Sequence, residues 1–164
     1  MNAAALRRPA AWLAGAWAGI MIGLGFIAAP VLFSALERAD AGRVAARLFT
    51  IDAYLGLAFG VTLLVIALQR ARGAKEQGGT RFSADMLLAL AALFCTLAGH
   101  FALQPMVEAA RGGTGTASFA VLHGVASAFF ALKFAVVAVL AWRLAAAPRC
   151  SSQTSSPKAA APVS

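Results

Sequence analysis

Apolar residues do not alternate with polar ones along this chain; they come in four long blocks. Residues 9–36 (28 residues), 86–107 (22) and 112–132 (21) hold no Asp, Glu, Lys or Arg, and residues 48–69 (22) hold only Asp52. A helix needs about 20 mostly apolar residues to cross a hydrocarbon layer roughly 30 Å thick. The pattern therefore predicts an all-α fold, a bundle of four transmembrane helices over about 10–35, 44–69, 85–107 and 117–142. Four spans in a short chain leave little for a soluble domain, so residues 1–143 are read as one four-helix membrane domain.

Between the blocks the sequence breaks in ways that suit turns. Residues 70–84 carry Gly73, Gly78 and Gly79 with mixed charges, as an exposed loop would. Gly112, Gly113, Thr114 and Gly115 mark a tight turn between helices three and four. From 144 onward the chain is rich in Ala, Pro and Ser and lacks the apolar surface to offset its ordering entropy, which predicts a disordered cytoplasmic tail over 144–164. Arg7 and Arg8 ahead of an apolar run imitate a signal peptide. The run is nearly double the length of a cleavable signal's apolar core of about 7–15 residues, so it counts as the first span.

Composition agrees with the pattern: 61% of the 164 residues are apolar and 12% charged. The net charge of +8 does not point to nucleic acid, because the basic residues lie between and beyond the apolar blocks and form no basic and aromatic stripe. They act as topology determinants. The N-terminus, the middle loop and the tail hold nine Lys or Arg, and the other two loops hold four (Arg38, Arg43, Arg47 and Arg111). Under the positive-inside rule both termini are expected in the cytoplasm. Trp12, Trp17 and Trp142 fall toward that side, as aromatic belts do. Cys95 and Cys150 have no metal or redox spacing, and Cys95 reads as apolar filler.

Small residues suggest how the helices pack. Gly15, Gly19 and Gly23 lie at spacing four in helix one, Gly56 and Gly60 in helix two, and Gly124 and Ala128 in helix four. Such spacing lets backbones approach closely in lipid, where hydrophobicity no longer drives association. An internal echo is also present: Phe26 and Pro30 near the end of helix one match Phe101 and Pro105 near the end of helix three. Pro30 is expected to end or kink its helix.

Ionisable residues inside a span are costly and raise a functional hypothesis. At the helical rise, His123, Asp52 and His100 are expected about 9–12 Å from the outer helix ends, and Gln104 about 5 Å. Four polar side chains from three helices thus form one stratum in the outer half. Asp52 shares the face of Gly56 and Gly60, and His100–Gln104 and His123–Ser127 are i, i+4 pairs. The expected feature is a polar cavity open to the outside. His100 and His123 are candidate ligands for a haem or a transition metal, with Asp52 behind them; the alternative is that these residues only hydrogen-bond across helices. Lys133, about 25 Å along helix four, is expected to snorkel to the cytoplasmic interface as an anchor.

The segment from Gly23 to Phe33 (GLGFIAAPVLF), then Ala41 to Phe49 (AGRVAARLF) and Phe119 to Ser127 (FAVLHGVAS), resembles a bacterial membrane family of unknown function related to transmembrane protein 205. The resemblance spans about residues 10–143 and implies a four-helix inner-membrane protein with no established activity. His123 matches that family's histidine position, with no role attached. The layout is more remotely similar to copper-resistance protein D-like domains and to a haem-carrying membrane protoporphyrinogen oxidase family.

Three functions stay open: a haem- or metal-binding membrane protein, an oligomeric transport or export component, and a membrane scaffold without a small-molecule site. In each the lipid bilayer is the first partner, a homo-oligomer is a further one, and the expected location is the bacterial inner membrane with multiple passes. The chain holds no GxxxxGK[ST], GxSxG or HExxH and no dense carboxylate pair, which argues against enzymes of those classes.

Overall fold

The computed structural model describes residues 5–75, 83–113 and 118–146. They form four helices, each long and apolar enough to cross a membrane: α1 (Arg7–Ala35), α2 (Arg38–Lys75), α3 (Ala84–Arg111) and α4 (Phe119–Ala146). No strand occurs among the described residues. The helices follow the apolar blocks because a segment in lipid must satisfy its own backbone hydrogen bonds. Large apolar side chains on the outer faces, among them Trp12, Phe26, Phe94 and Trp142, are exposed, as contact with lipid requires.

The ends of the helices differ from the sequence expectation. α2 starts at Arg38 rather than 44 and runs to Lys75 rather than 69. Its first turn holds Asp40, which suits the positive end of the helix dipole and pairs with Arg43 one turn on. The loop expected over 70–84 is therefore helical up to Lys75. At the start of α3 the Ser83 hydroxyl accepts the Met86 amide at 3.2 Å, a side-chain cap. Gly113 turns the chain after α3 with φ +75°, which glycine adopts without strain. Residues 144–146, expected to begin the tail, continue α4; the rest of that tail lies outside the described residues.

Each helix packs on its neighbours in the chain, and α1 closes the ring against α4. Thus α1 stands diagonally opposite α3, and α2 opposite α4. The half of the bundle nearest the start of α1 is solid. Ala10, Ala14, Trp17 and Met21 of α1 meet Leu63, Ala89, Ala92, Val137 and Leu140 in one buried apolar cluster. Beyond the clustered residues, Asp85 takes Arg70 of α2 and Arg143 of α4, each at 3.1 Å, and so ties three helices at that end.

The glycines divide sharply. A Cβ at Gly60 would come within 2.6 Å of Leu93, and one at Gly56 within 3.2 Å of Trp17. A Cβ at Gly15, Gly19, Gly23 or Gly124 would meet nothing within 4 Å. Of the glycines at spacing four, the α2 pair packs closely and the longer stripe on α1 faces outward. Trp17, expected in an aromatic belt, is instead fully buried: its wide ring fills the notch that Gly56 and Gly60 leave.

Both helices that carry the Phe-xxx-Pro echo contain a π-helical segment just before the proline, Gly23–Ala28 in α1 and Leu97–Ala102 in α3. Proline has no N–H, so the carbonyls of Phe26 and Phe101 lose their usual helical donors. The preceding turn widens to an i→i−5 register, with Ala29 N–H donating to Leu24 and Leu103 N–H to Ala98. Neither proline ends its helix, and both helices continue beyond it.

Candidate functional site

The other half of the bundle is hollow. A cavity of about 340 Å³ runs between the four helices from the end where Gly42 and Arg111 stand down to Asp52 and Lys133. The π-helical segments border it on two opposite sides, and Gly25 and Gly99 within them line the wall. At each place the bare glycine lets α4 come close: a Cβ at Gly25 would lie 3.2 Å from the Phe130 ring, and one at Gly99 3.4 Å from Phe129. The apolar core around Trp17 and Met21 begins about one turn below Asp52, where Trp17 packs on Gly56.

Asp52, His100, Gln104, His123 and Ser127, the five residues singled out from the sequence, all line this one cavity. They do not share one stratum. Counted at 1.5 Å per residue from the open end of each helix, His123 is about 6 Å deep, Gln104 and Ser127 about 10–12 Å, His100 about 16 Å and Asp52 about 21 Å. The longer count for Asp52 reflects the earlier start of α2: Gly56, one turn below Asp52, packs against Thr96, one turn below His100, so Asp52 and His100 stand at about the same level. The polar groups thus form a descending ladder. His123 stacks on Phe119, with ring centroids 5.5 Å apart, and the Arg111 guanidinium lies 5.3 Å from the Phe119 centroid, so these three mark the mouth.

Lys133 corrects the sequence reading most. It is not an interfacial anchor: it is the fifteenth of the 28 residues of α4, only 5% exposed, and its ammonium donates to Asp52 Oδ2 at 2.6 Å. The two side chains reach each other across the bundle's diagonal. Burying either charge alone in a span would cost several kcal/mol, so each depends on the other. The sequence signal lay in their complementarity: an acid and a base, each midway along a helix, each inside an apolar stretch. Cys95 and Thr96 of α3 complete the floor. The Thr96 hydroxyl is occupied, donating to the Ala92 carbonyl at 2.9 Å.

One acceptor at the floor is left over. Asp52 Oδ1 is buried and has no hydrogen-bond partner, although its sister oxygen is engaged. Such an atom normally finds a donor. Among the described residues no group of three or more His, Cys, Asp or Glu side chains is placed to hold a metal ion. His100 and His123 stand at different depths, and each has a ring neighbour of its own; the His100 ring meets Phe101 edge-on at 5.0 Å.

The fold and site define a four-helix membrane-type protein with a cavity between its helices, walled mainly by apolar residues and floored by an ion pair. The chain belongs to the family described as a domain of unknown function, DUF4149, whose pattern matches residues 12–115. That match takes in most of α1, all of α2 and α3, and ends short of α4, which supplies Lys133, His123 and Ser127. No curated protein and no solved structure matches the chain.

Proposed function

We propose that this is a multi-pass protein of the bacterial inner membrane that binds a small solute in the cavity between its helices and works as a transport or export component. The observation that carries this reading is the Lys133–Asp52 pair at the cavity's closed end. A charged pair kept within a span, beside open space rather than sealed in packing, is what solute and ion pathways contain. The cavity's volume falls within the range of small-molecule sites, about 300–1,000 Å³. With both termini cytoplasmic, as the distribution of Lys and Arg favours, the mouth at Arg111 and His123 opens to the outer side. The kinship with transmembrane protein 205 belongs to this proposal and brings no activity with it.

Cys95 tests the reading directly, because it lines the floor. In Cys150→Ser protein, a small membrane-impermeant thiol reagent added from outside should modify Cys95, and Ser127→Trp should block it by filling the shaft. Cys95 is buried, so Ser127→Cys, higher in the lining of the same cavity, serves as a second probe: if neither thiol is modified in folded protein, the cavity admits no solute.

A second reading, haem or transition-metal binding through His100 and His123, is favoured by the presence of both imidazoles in the lining of one cavity. Two ligands from two helices suit a haem better than an ion that requires three or four protein donors.

A further inference from the structure

We infer that the cavity takes an organic monocarboxylate, and that its arrival at Lys133 draws a proton onto Asp52. This rests on the reading of the cavity as a solute site and names the solute's chemistry. The cavity carries cations at both ends, Arg111 at the mouth and Lys133 at the floor, and Asp52 is the one carboxylate among its lining residues. The remaining titratable groups that face it are Cys95 and His100 from α3 and His123 from α4; α1 contributes none. An anion is attracted on entry and meets an ammonium at the end. Phe33, Phe49 and Phe130 supply apolar walls for a hydrocarbon or aromatic body. A single ammonium at the floor matches one negative charge better than a phosphate dianion.

Proton coupling follows from charge balance. The empty floor is neutral, Lys133 positive and Asp52 negative. A carboxylate that binds Lys133 would leave one net negative charge in a low-dielectric site, which costs several kcal/mol. A proton on Asp52 removes that cost. The carboxylate then takes over the ammonium, which has two further N–H donors beyond the one given to Asp52. Asp52 Oδ1, the acceptor without a donor, is the atom already free to receive the proton. The proton comes from water at the open end, past His123 and His100. No bond other than this O–H forms, and charge is conserved at the site.

The experiment is calorimetric titration of benzoate into the full-length protein in detergent, in phosphate and in Tris, whose heats of ionisation differ. Wild type should take up about one proton per benzoate, the number that keeps the buried site neutral, and its affinity should fall as pH rises. Asp52→Asn should bind benzoate with no proton uptake and with affinity independent of pH over the same range. Lys133→Met should weaken binding by at least about tenfold, and Lys133→Arg, which keeps the charge and guards against misfolding of the first variant, should retain it. Benzoate should also slow modification of Cys95. If the thiol reagent reaches Cys95 but benzoate neither binds nor protects, the carboxylate inference falls and the cavity reading stands. Benzoate binding with no proton uptake, or equal uptake in Asp52→Asn, overturns the coupling. If no reagent reaches either Cys95 or the thiol of Ser127→Cys, the reading beneath both is removed. Laurate presented in vesicles, compared with benzoate in solution, distinguishes a lipid-borne carboxylate from an aqueous one.

Discussion

Lys133 of α4 and Asp52 of α2 lie 81 positions apart in the chain and meet at 2.6 Å across the diagonal of the bundle. Their side chains are 6% and 2% exposed. The contact joins two helices that do not pack as neighbours, at the level where the solid half of the bundle gives way to the hollow half. Removal of one partner strands the other charge, whereas removal of both strands none.

That asymmetry gives a double-mutant cycle. Asp52→Asn or Lys133→Met alone is expected to destabilise the detergent-solubilised protein by about 3–5 kcal/mol, and the double variant should recover most of the loss. Thermal or denaturant unfolding followed by gel filtration measures it. Additive losses would show that the two side chains do not depend on each other.

Asp85 provides a contrast of magnitude. Its carboxylate takes two guanidiniums, Arg70 and Arg143, but at the end of the bundle, where Arg143 is half exposed. Water and salt weaken such pairs, so Asp85→Asn should cost only about 1 kcal/mol, and less at high salt. The same unfolding assay with and without added 0.5 M salt, roughly a fourfold rise in ionic strength over a physiological buffer, separates it from the Asp52 variants, whose losses should not depend on salt.

The glycines make opposite predictions on adjacent helices. Gly60→Ala places a methyl within 2.6 Å of Leu93 and should destabilise by about 1–3 kcal/mol, with relief when Leu93 is shortened to Ala. Gly19→Ala meets nothing within 4 Å and should be neutral or mildly stabilising for a monomer. Unfolding midpoints test both, and cross-linking tests whether the outward stripe on α1 serves a second copy. A large loss for Gly19→Ala with dissociation of an oligomer would assign the stripe to that contact.

The haem or metal reading is settled by absorption spectroscopy and elemental analysis of the purified protein. It predicts a Soret band or stoichiometric metal in the wild type, lost in both His100→Ala and His123→Ala and on stripping with a chelator. Colourless, metal-free protein that still admits the thiol reagent to Cys95 leaves the solute reading alone.

The candidate site was legible in part. That Asp52, His100, Gln104, His123 and Ser127 belong together followed from depth and helical face, which are local quantities. The start of α2 was not legible. The charged stretch 38–43 reads as loop if a span starts near its apolar run, yet a helix continues past lipid wherever its own caps and i, i+3 pairs allow, as Asp40 and Arg43 do here. The echo of Phe26 and Pro30 in Phe101 and Pro105 marked where both helices widen into π turns, since the missing proline N–H acts on its own chain.

The sequence by itself determined the four helices, their approximate ends and the residues whose polarity does not suit a span. Each of these depends on a segment's own length, hydropathy and backbone hydrogen bonds, which in lipid must close within the segment. Only the tertiary structure decided which faces meet. Gly56 and Gly60 receive Trp17 while the longer stripe on α1 faces outward, because close packing needs a bulky partner at the right height and spacing alone cannot supply one. Lys133 lies inside rather than at the interface because Asp52, from a helix on the far side, balances its charge; no local pattern links two residues 81 apart.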